Sequence, residues 1–299
     1  MAITRSAYLL VVLIWSTTPL AIQWSSKGLH PLMGVSLRML AAVGVGYVLL
    51  KLAGLSIEWS RRAIKNYAAG AVGIVGGLVC VYLGARNVPS GLISVIFGLS
   101  PVLTGIFAIY ILDEPPLTTM KWLAMFLSIM GLGIVFINDV AFDDSLFRGA
   151  GLILMGAVLF SLSSVLVKSY ELKVHPMSQT MGTLIVALPF FLLLSLPFVA
   201  DVRFDQVPFS TFGAILYLGI GGSLIGFISY FYILRRLSAS TVALVTLMTP
   251  VLALILGIQL NNEHISVLAC VGVFAIMLGL ASFLWGDEAM SKLGIKLRS

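Results

Sequence analysis

Ten blocks of about 18–25 mostly apolar residues, each bounded by charges, Pro or Gly, restrict this chain more than any other feature. At 1.5 Å per residue each block is long enough to cross ~30 Å of hydrocarbon as a helix. They fall at about 6–26, 31–53, 65–84, 88–112, 117–137, 149–170, 175–199, 210–234, 238–260 and 263–285. Of the 299 residues, 60% are hydrophobic and 10% charged, whereas a soluble domain carries about 25% charge. A soluble enzyme of this length could not cover its surface. Secreted disulfide-stapled, disordered and nucleic-acid-binding classes are excluded with it. The expected fold is all-α: a polytopic membrane protein with the lipid bilayer as its solvent. Cys80 and Cys270 sit in apolar runs without metal-ligand spacing, so two buried thiols are expected, with no metal and no cofactor.

The breaks between blocks are short, as in a compact bundle: Lys27–His30, Arg86-Asn87, Asp113–Pro116, Arg235-Arg236 and Asn261-Asn262. The first block has a polar centre, Trp15-Ser16-Thr17-Thr18-Pro19, and reads as a retained helix rather than a signal peptide. Ten spans put both termini on one side. That side collects 13 of the 18 Lys and Arg, while Lys27, Arg38, Arg86, Arg148 and Arg203 lie opposite. The positive-inside rule therefore places both termini in the cytoplasm, and the expected location is a cell inner (plasma) membrane. The same bias accounts for the net charge of +6 without a polyanionic partner.

The halves of the chain repeat. A shift of 145 superimposes Ser16 on Ser161 and His30-Pro31 on His175-Pro176. A shift of 149 superimposes Arg86 on Arg235, Pro101-Val102-Leu103 on Pro250-Val251-Leu252, and Glu114 on Glu263. Rare residues matching in order point to internal duplication. Each half has five spans, an odd number, so the second half enters the membrane from the opposite side and the repeats are inverted. The expected organisation is a first repeat at 1–137, a loop at 138–148, a second repeat at 149–285 and a cytoplasmic tail at 286–299. Inverted repeats are a transporter architecture, because exchanging the conformations of the halves exchanges the open side.

With its Ile14-Trp15-Ser16 start, Leu99-Ser100-Pro101-Val102-Leu103 and Met248-Thr249-Pro250-Val251-Leu252, each followed by a Glu, the chain resembles the drug/metabolite transporter superfamily. Over residues 6–285 it is similar to the EamA-type ten-helix exporters, and within them to exporters of aromatic amino acids. The resemblance implies a substrate pathway enclosed by helices 1, 3, 4, 6, 8 and 9, with helices 5 and 10 peripheral.

Mid-membrane hydroxyls and aromatic faces suit an amphipathic small-molecule substrate. The substrate-binding candidates are Trp15, Ser16, Thr17, Thr18, Arg38, Tyr82, Ser94, Phe97, Ser100, Ser161, Ser163, Tyr230, Tyr232 and Thr249. For each hydroxyl the alternative is a bond to its own helix, and for each aromatic a packed or interfacial position. Arg38 either snorkels to the outer surface or pairs with a carboxylate or a carbonyl. Pro101 and Pro250 each remove a backbone hydrogen bond in mid-helix and are read as gating kinks. Gly77 and Gly226, in stripes of small residues on helices 3 and 8, are hinge candidates beside the alternative of close packing.

Every acid and all three histidines fall in loops or at helix ends. Proton-coupled carriers usually keep a titratable group inside the membrane, so transport without proton coupling is expected. The reading is an exporter of amino acids or related small metabolites working by alternating access, not an enzyme, with no obligate protein partner. A multidrug exporter of the same fold is the alternative. A membrane-embedded enzyme would need a buried nucleophile–base set or metal ligands, and neither is visible.

Overall fold

A computed structural model describes residues 2–114, 118–138, 144–243, 245–262 and 266–292. Glu263, His264, residues 139–143 of the loop expected at 138–148 and the tail beyond 292 lie outside the described residues. Ten helices follow in order: α1 (Ala2–Ser25), α2 (Pro31–Leu52), α3 (Arg61–Gly84), α4 (Ser90–Ile111) and α5 (Thr119–Asn138). The second set is α6 (Asp144–Ser169), α7 (Pro176–Ser195), α8 (Phe209–Leu234), α9 (Ala239–Ala243 and Val245–Asn261) and α10 (Val267–Lys292). No strand occurs among the described residues. Eight helices carry apolar stretches long enough to span a bilayer; α5 and α10 carry shorter ones, Thr119–Gly131 and Cys270–Phe283. α6 begins at Asp144, before the apolar run, because its first turn is a charged extension carrying an exposed Asp144–Arg148 contact of 4.0 Å.

The two inverted five-helix repeats are built from the same local devices. His30 and His175 stand at the N-caps of α2 and α7 in extended conformation, and each Nδ1 accepts from the backbone N–H two residues on. Pro31 and Pro176 follow at the first helical position, where a missing N–H costs nothing. The third helix of each half contains a π-helical stretch, Val72–Gly77 in α3 and Leu218–Ile225 in α8. Such widened turns shift a helix's facing and concentrate at functional sites.

Large apolar side chains such as Phe126, Ile129, Phe190, Leu193 and Phe274 remain exposed on the outside, as a lipid-facing surface requires, since lipid removes any drive to bury them from one another. Helix contact inside relies on small residues. A Cβ on Gly156 would stand 3.0 Å from the Gly77 carbonyl, and one on Gly84 would stand 2.6 Å from the Gly149 carbonyl. These glycines therefore form an antiparallel seam between α3 and α6, which gives Gly77 a packing role whatever else it does. α5 and α10 lie against each other, with Gly131 on the Gly272 carbonyl and Gly279 on the Ala124 carbonyl.

Candidate substrate cavity

A cavity of about 100 Å³ lies between α1, α2, α3, α4, α6, α8 and α9. On α1 the lining residues are Trp15, Thr18, Pro19 and Ile22, spaced i, i+3, i+4, i+7 and hence on one helical face. That spacing decides among the four polar candidates of α1. Trp15 and Thr18 face the cavity, whereas Ser16 donates to the Val12 carbonyl at 2.6 Å and Thr17 pairs with Tyr217 on α8. α4 supplies Ile93, Ser94 and Phe97, α3 supplies Gly73, Ile74, Gly77, Leu78 and Val81, and Thr246 and Thr249 come from α9.

Arg38 is the cation of this cavity, and it does not snorkel. It is only 2% exposed, its Nε donates to Ser223 Oγ at 2.7 Å, and its Nη1 has no hydrogen-bond partner. The glycines of α8 shape its place. A Cβ on Gly219 would stand 2.9 Å from the Arg38 carbonyl oxygen, and one on Gly222 would stand 3.1 Å from Nη2. The π-helical turn brings Gly222 and Ser223 together onto the guanidinium. Among the described residues the only ion pair is Asp144–Arg148, so the buried guanidinium has no protein counter-ion there. A charge at this depth costs at least a few kcal/mol unless water or a partner meets it.

An aromatic layer floors the cavity on the side of the base-rich end. Trp15 stands edge-on to Phe160 with centroids 5.5 Å apart, and Tyr230 closes the group at 5.2 Å from Trp15 and 5.4 Å from Phe160. Phe97 and Phe227 extend it. Edge and tilted contacts of this kind are the favoured aromatic geometries. Beyond the layer lies a smaller void of about 10 Å³, lined by Ser100, Thr104, Ser164, Tyr230 and Thr246 among others.

The two proline helices differ. α4 is interrupted: Ser90–Phe97 ends in a turn at Gly98 and Leu99, and Pro101 begins the segment Ser100–Ile111. Pro101 therefore sits in a helical first turn rather than in a continuous helix, and the Ser100 hydroxyl is buried without a partner. Around Pro250 the helix continues, and Thr249 Oγ1 donates at 3.2 Å to the Thr246 carbonyl, the one proline leaves without an amide donor. Other candidates lie away from the cavity. Tyr82 is fully buried and accepts from Ser25 Oγ at 3.3 Å, Ser163 bonds the Ala69 carbonyl at 2.7 Å, and Ser161 reaches the Ser100 carbonyl at 3.4 Å. Tyr232 lies under the Arg236 guanidinium at 3.7 Å. Gly226 has the Trp15 indole nitrogen 3.1 Å from where its Cβ would be. Ser223, Phe227 and Ile74 were not singled out in the sequence. Ser223 stands at i, i+3, i+4, i+7 spacing with Gly219, Gly222 and Gly226, so the small-residue stripe of α8 already marked its face.

The EamA-like transporter family model matches the chain twice, at residues 5–137 and 147–285. The chain belongs to the EamA-like transporter family. It is thus a multi-pass membrane transporter, and the module occurs once in each half. It is 26% identical over 273 residues to an uncharacterized transporter of Archaeoglobus fulgidus, covering 91% of this chain and 95% of that protein. It is 26% identical over 283 residues to the uncharacterized inner membrane transporter YedA of Escherichia coli K12, covering 89% and 87%. With YyaM, an uncharacterized transporter of Bacillus subtilis, it shares 24% identity over 245 residues, 81% and 80% of the two chains. A solved crystal structure superimposes at a TM-score of 0.71 and 18% identity, over 97% of this chain and 98% of that one, and so bears out the fold.

The ends of this EamA-family bundle carry related clasps. At one end Gln23 of α1 donates to the Val88 carbonyl just after α3 at 2.9 Å and accepts from Asn261 at the end of α9 at 2.9 Å. At the other, Lys168 of α6 donates to the Leu237 carbonyl just after α8 and to the Leu234 carbonyl at 3.2 Å, with Glu114 after α4 in electrostatic reach. Gln23 and Lys168 differ by the offset of 145, and Val88 and Leu237 by 149, the same offsets that align the halves. The base-rich end is tied further by Arg62 to the Tyr170 carbonyl and Arg235 to the Val174 carbonyl. The opposite end holds a hollow of about 400 Å³ with His30, Arg86, Phe198 and Asp201 on its wall.

Proposed function

We propose that this chain exports, by alternating access, small metabolites that join an apolar or aromatic body to a carboxylate, the class that contains the aromatic and other hydrophobic amino acids. The observation that carries this reading is Arg38: a buried guanidinium on a mainly apolar cavity, with one nitrogen free and no described acid beside it. A carboxylate would meet it through charge-assisted hydrogen bonds, while aromatic surface from Trp15, Phe97, Phe160 and Phe227 covers the body of the solute. The same charge repels cationic drugs, which counts against a multidrug exporter.

Trp15, Thr18, Arg38, Ser94, Phe97 and Thr249 contact the solute in this reading. The interrupted helix at Gly98-Leu99-Ser100-Pro101 and its counterpart at Pro250 are the hinges. The base-rich end faces the cytoplasm of a cell whose inner membrane holds the protein, as the placement of Lys and Arg argues. Transport runs without proton coupling: the described acids Glu58, Asp113, Glu114, Asp144, Glu171, Asp201 and Asp205 lie in loops or at helix ends, and Asp287 and Glu288 lie in the part of α10 beyond its apolar stretch Cys270–Phe283. The test is efflux from liposomes holding the purified chain, over a panel of aromatic and aliphatic carboxylates, amino acids included. Saturable flux that Arg38→Gln removes supports the reading. Flux of cationic dyes alone, untouched by the substitution, overturns it.

A further inference from the structure

We propose that the cavity takes its solute as an organic monoanion without an ammonium group, and that each export cycle therefore carries one net negative charge out. This rests on the carrier reading above and narrows it from carboxylate-bearing metabolites in general to those that are not zwitterions.

The argument starts from what a zwitterion needs. Its carboxylate finds Arg38, but its ammonium, a few ångströms away, needs a counter-charge or a set of free acceptors once it leaves water. The cavity supplies no counter-charge, and its only side-chain acceptors are a few neutral hydroxyls. The cavity wall is apolar side chains and glycine backbone beside Arg38, broken by the hydroxyls of Thr18, Ser94, Thr246 and Thr249. The threonines spend their protons inside their own helices, Thr18 on the Ile14 carbonyl at 2.8 Å, Thr246 on the Ala243 carbonyl at 2.7 Å and Thr249 on the Thr246 carbonyl at 3.2 Å. Their remaining lone pairs carry no formal charge, and no acid lines the cavity. An ammonium would sit desolvated beside a like charge. A plain carboxylate leaves nothing unpaired and supplies the counter-ion that the guanidinium lacks.

The fixed position of Arg38 sets the electrical consequence. Its backbone is packed against Gly219, and its Nε is held by Ser223, so the cation stays with the protein when the solute leaves. The net charge that crosses is the solute's own. A membrane potential acts on one elementary charge with about 2.3 kcal/mol per 100 mV, a concentration ratio of roughly 50-fold. An interior-negative potential thus drives the anion outward, without a proton.

The experiment compares 3-phenylpropionate with L-phenylalanine, the same skeleton without and with the ammonium, in liposomes of the purified full chain. An inside-negative or inside-positive potassium diffusion potential is imposed, and protein-free liposomes give the leak of neutral acid. Benzenesulfonate, which stays ionised, repeats the measurement free of that leak. Expected are a kcat/KM for phenylpropionate at least tenfold above that for phenylalanine, and efflux that accelerates when the interior is negative. Benzenesulfonate should show the same voltage dependence. Arg38→Lys should keep the voltage response with a raised KM. Ser223→Ala should raise KM several-fold, because it frees the guanidinium without deleting it. Phenylalanine carried as well as phenylpropionate, or phenylpropionate flux indifferent to potential, overturns the inference and leaves the carrier reading standing. No protein-dependent flux of either overturns both.

Discussion

Lys168→Met is the perturbation whose size follows most directly from the structure. Met keeps most of the apolar stem and deletes the ammonium that bonds the Leu234 and Leu237 carbonyls. Hydrogen bonds from charged donors contribute about 1.5–3 kcal/mol each. The pair is only part-buried, and water can reach the freed carbonyls, so the net loss is taken as one such bond, about 1.5–3 kcal/mol. At 1.4 kcal/mol per decade, that shifts the equilibrium between closed and open at the base-rich end by roughly tenfold to a hundredfold toward open. Spin labels at Glu171 and Arg236, both exposed on the two sides of this clasp, would report it by pulsed dipolar spectroscopy, as a longer distance gaining population. Gln23→Leu at the mirror clasp should leave that distance unchanged and lengthen a pair across the opposite end. A distance distribution in Lys168→Met that matches the parent would refute the clasp assignment, and a shift of both ends by either substitution would refute their independence.

Thr249→Val should lower stability by about 1 kcal/mol, because it strands the carbonyl that Pro250 leaves open; Thr249→Ser should restore most of it, and thermal unfolding in detergent reads both. Ser100→Ala, whose hydroxyl has no partner, should cost nothing in the same assay. His30 gives a pH dependence. Burial, and then the nearby Arg86 charge, hold its imidazole below the ordinary value of 6.5, and its Nδ1 must stay unprotonated to accept from Leu32. A depressed folded value means the cap's contribution is complete above the unfolded pKa and is lost as pH falls through the folded one. Amide protection in the first turn of α2 should therefore drop on acidification below 6.5. His30→Asn, which keeps an acceptor, should flatten the profile.

The fold was legible in the sequence because a bilayer leaves few options. Every backbone polar group must be paired within a span, so apolar length alone marks the helices. The duplicated His-Pro positions do the same local job at both ends, as the His30 and His175 caps show, whereas Pro101 follows a break in its helix and Pro250 lies inside a continuous one. Helix facing was less legible. Trp15, Thr18, Ser94, Phe97, Arg38 and Thr249 line the cavity, but Ser16, Thr17, Tyr82, Ser163 and Tyr232 are turned elsewhere. In an apolar helix a hydroxyl bonds its own backbone on any face, so its presence says little about where it points. One backbone event also leaves no periodic trace: the interruption at Gly98-Leu99.

The central claim is a carrier whose cavity alternates between the two faces without protons. Solute counterflow by the purified chain in liposomes tests it most directly. Unlabelled aryl carboxylate inside should accelerate entry of labelled solute several-fold, equally with and without a pH gradient, and Arg38→Gln should abolish the effect. Entry that ignores internal solute, or that proceeds only when a proton gradient is imposed, would contradict it.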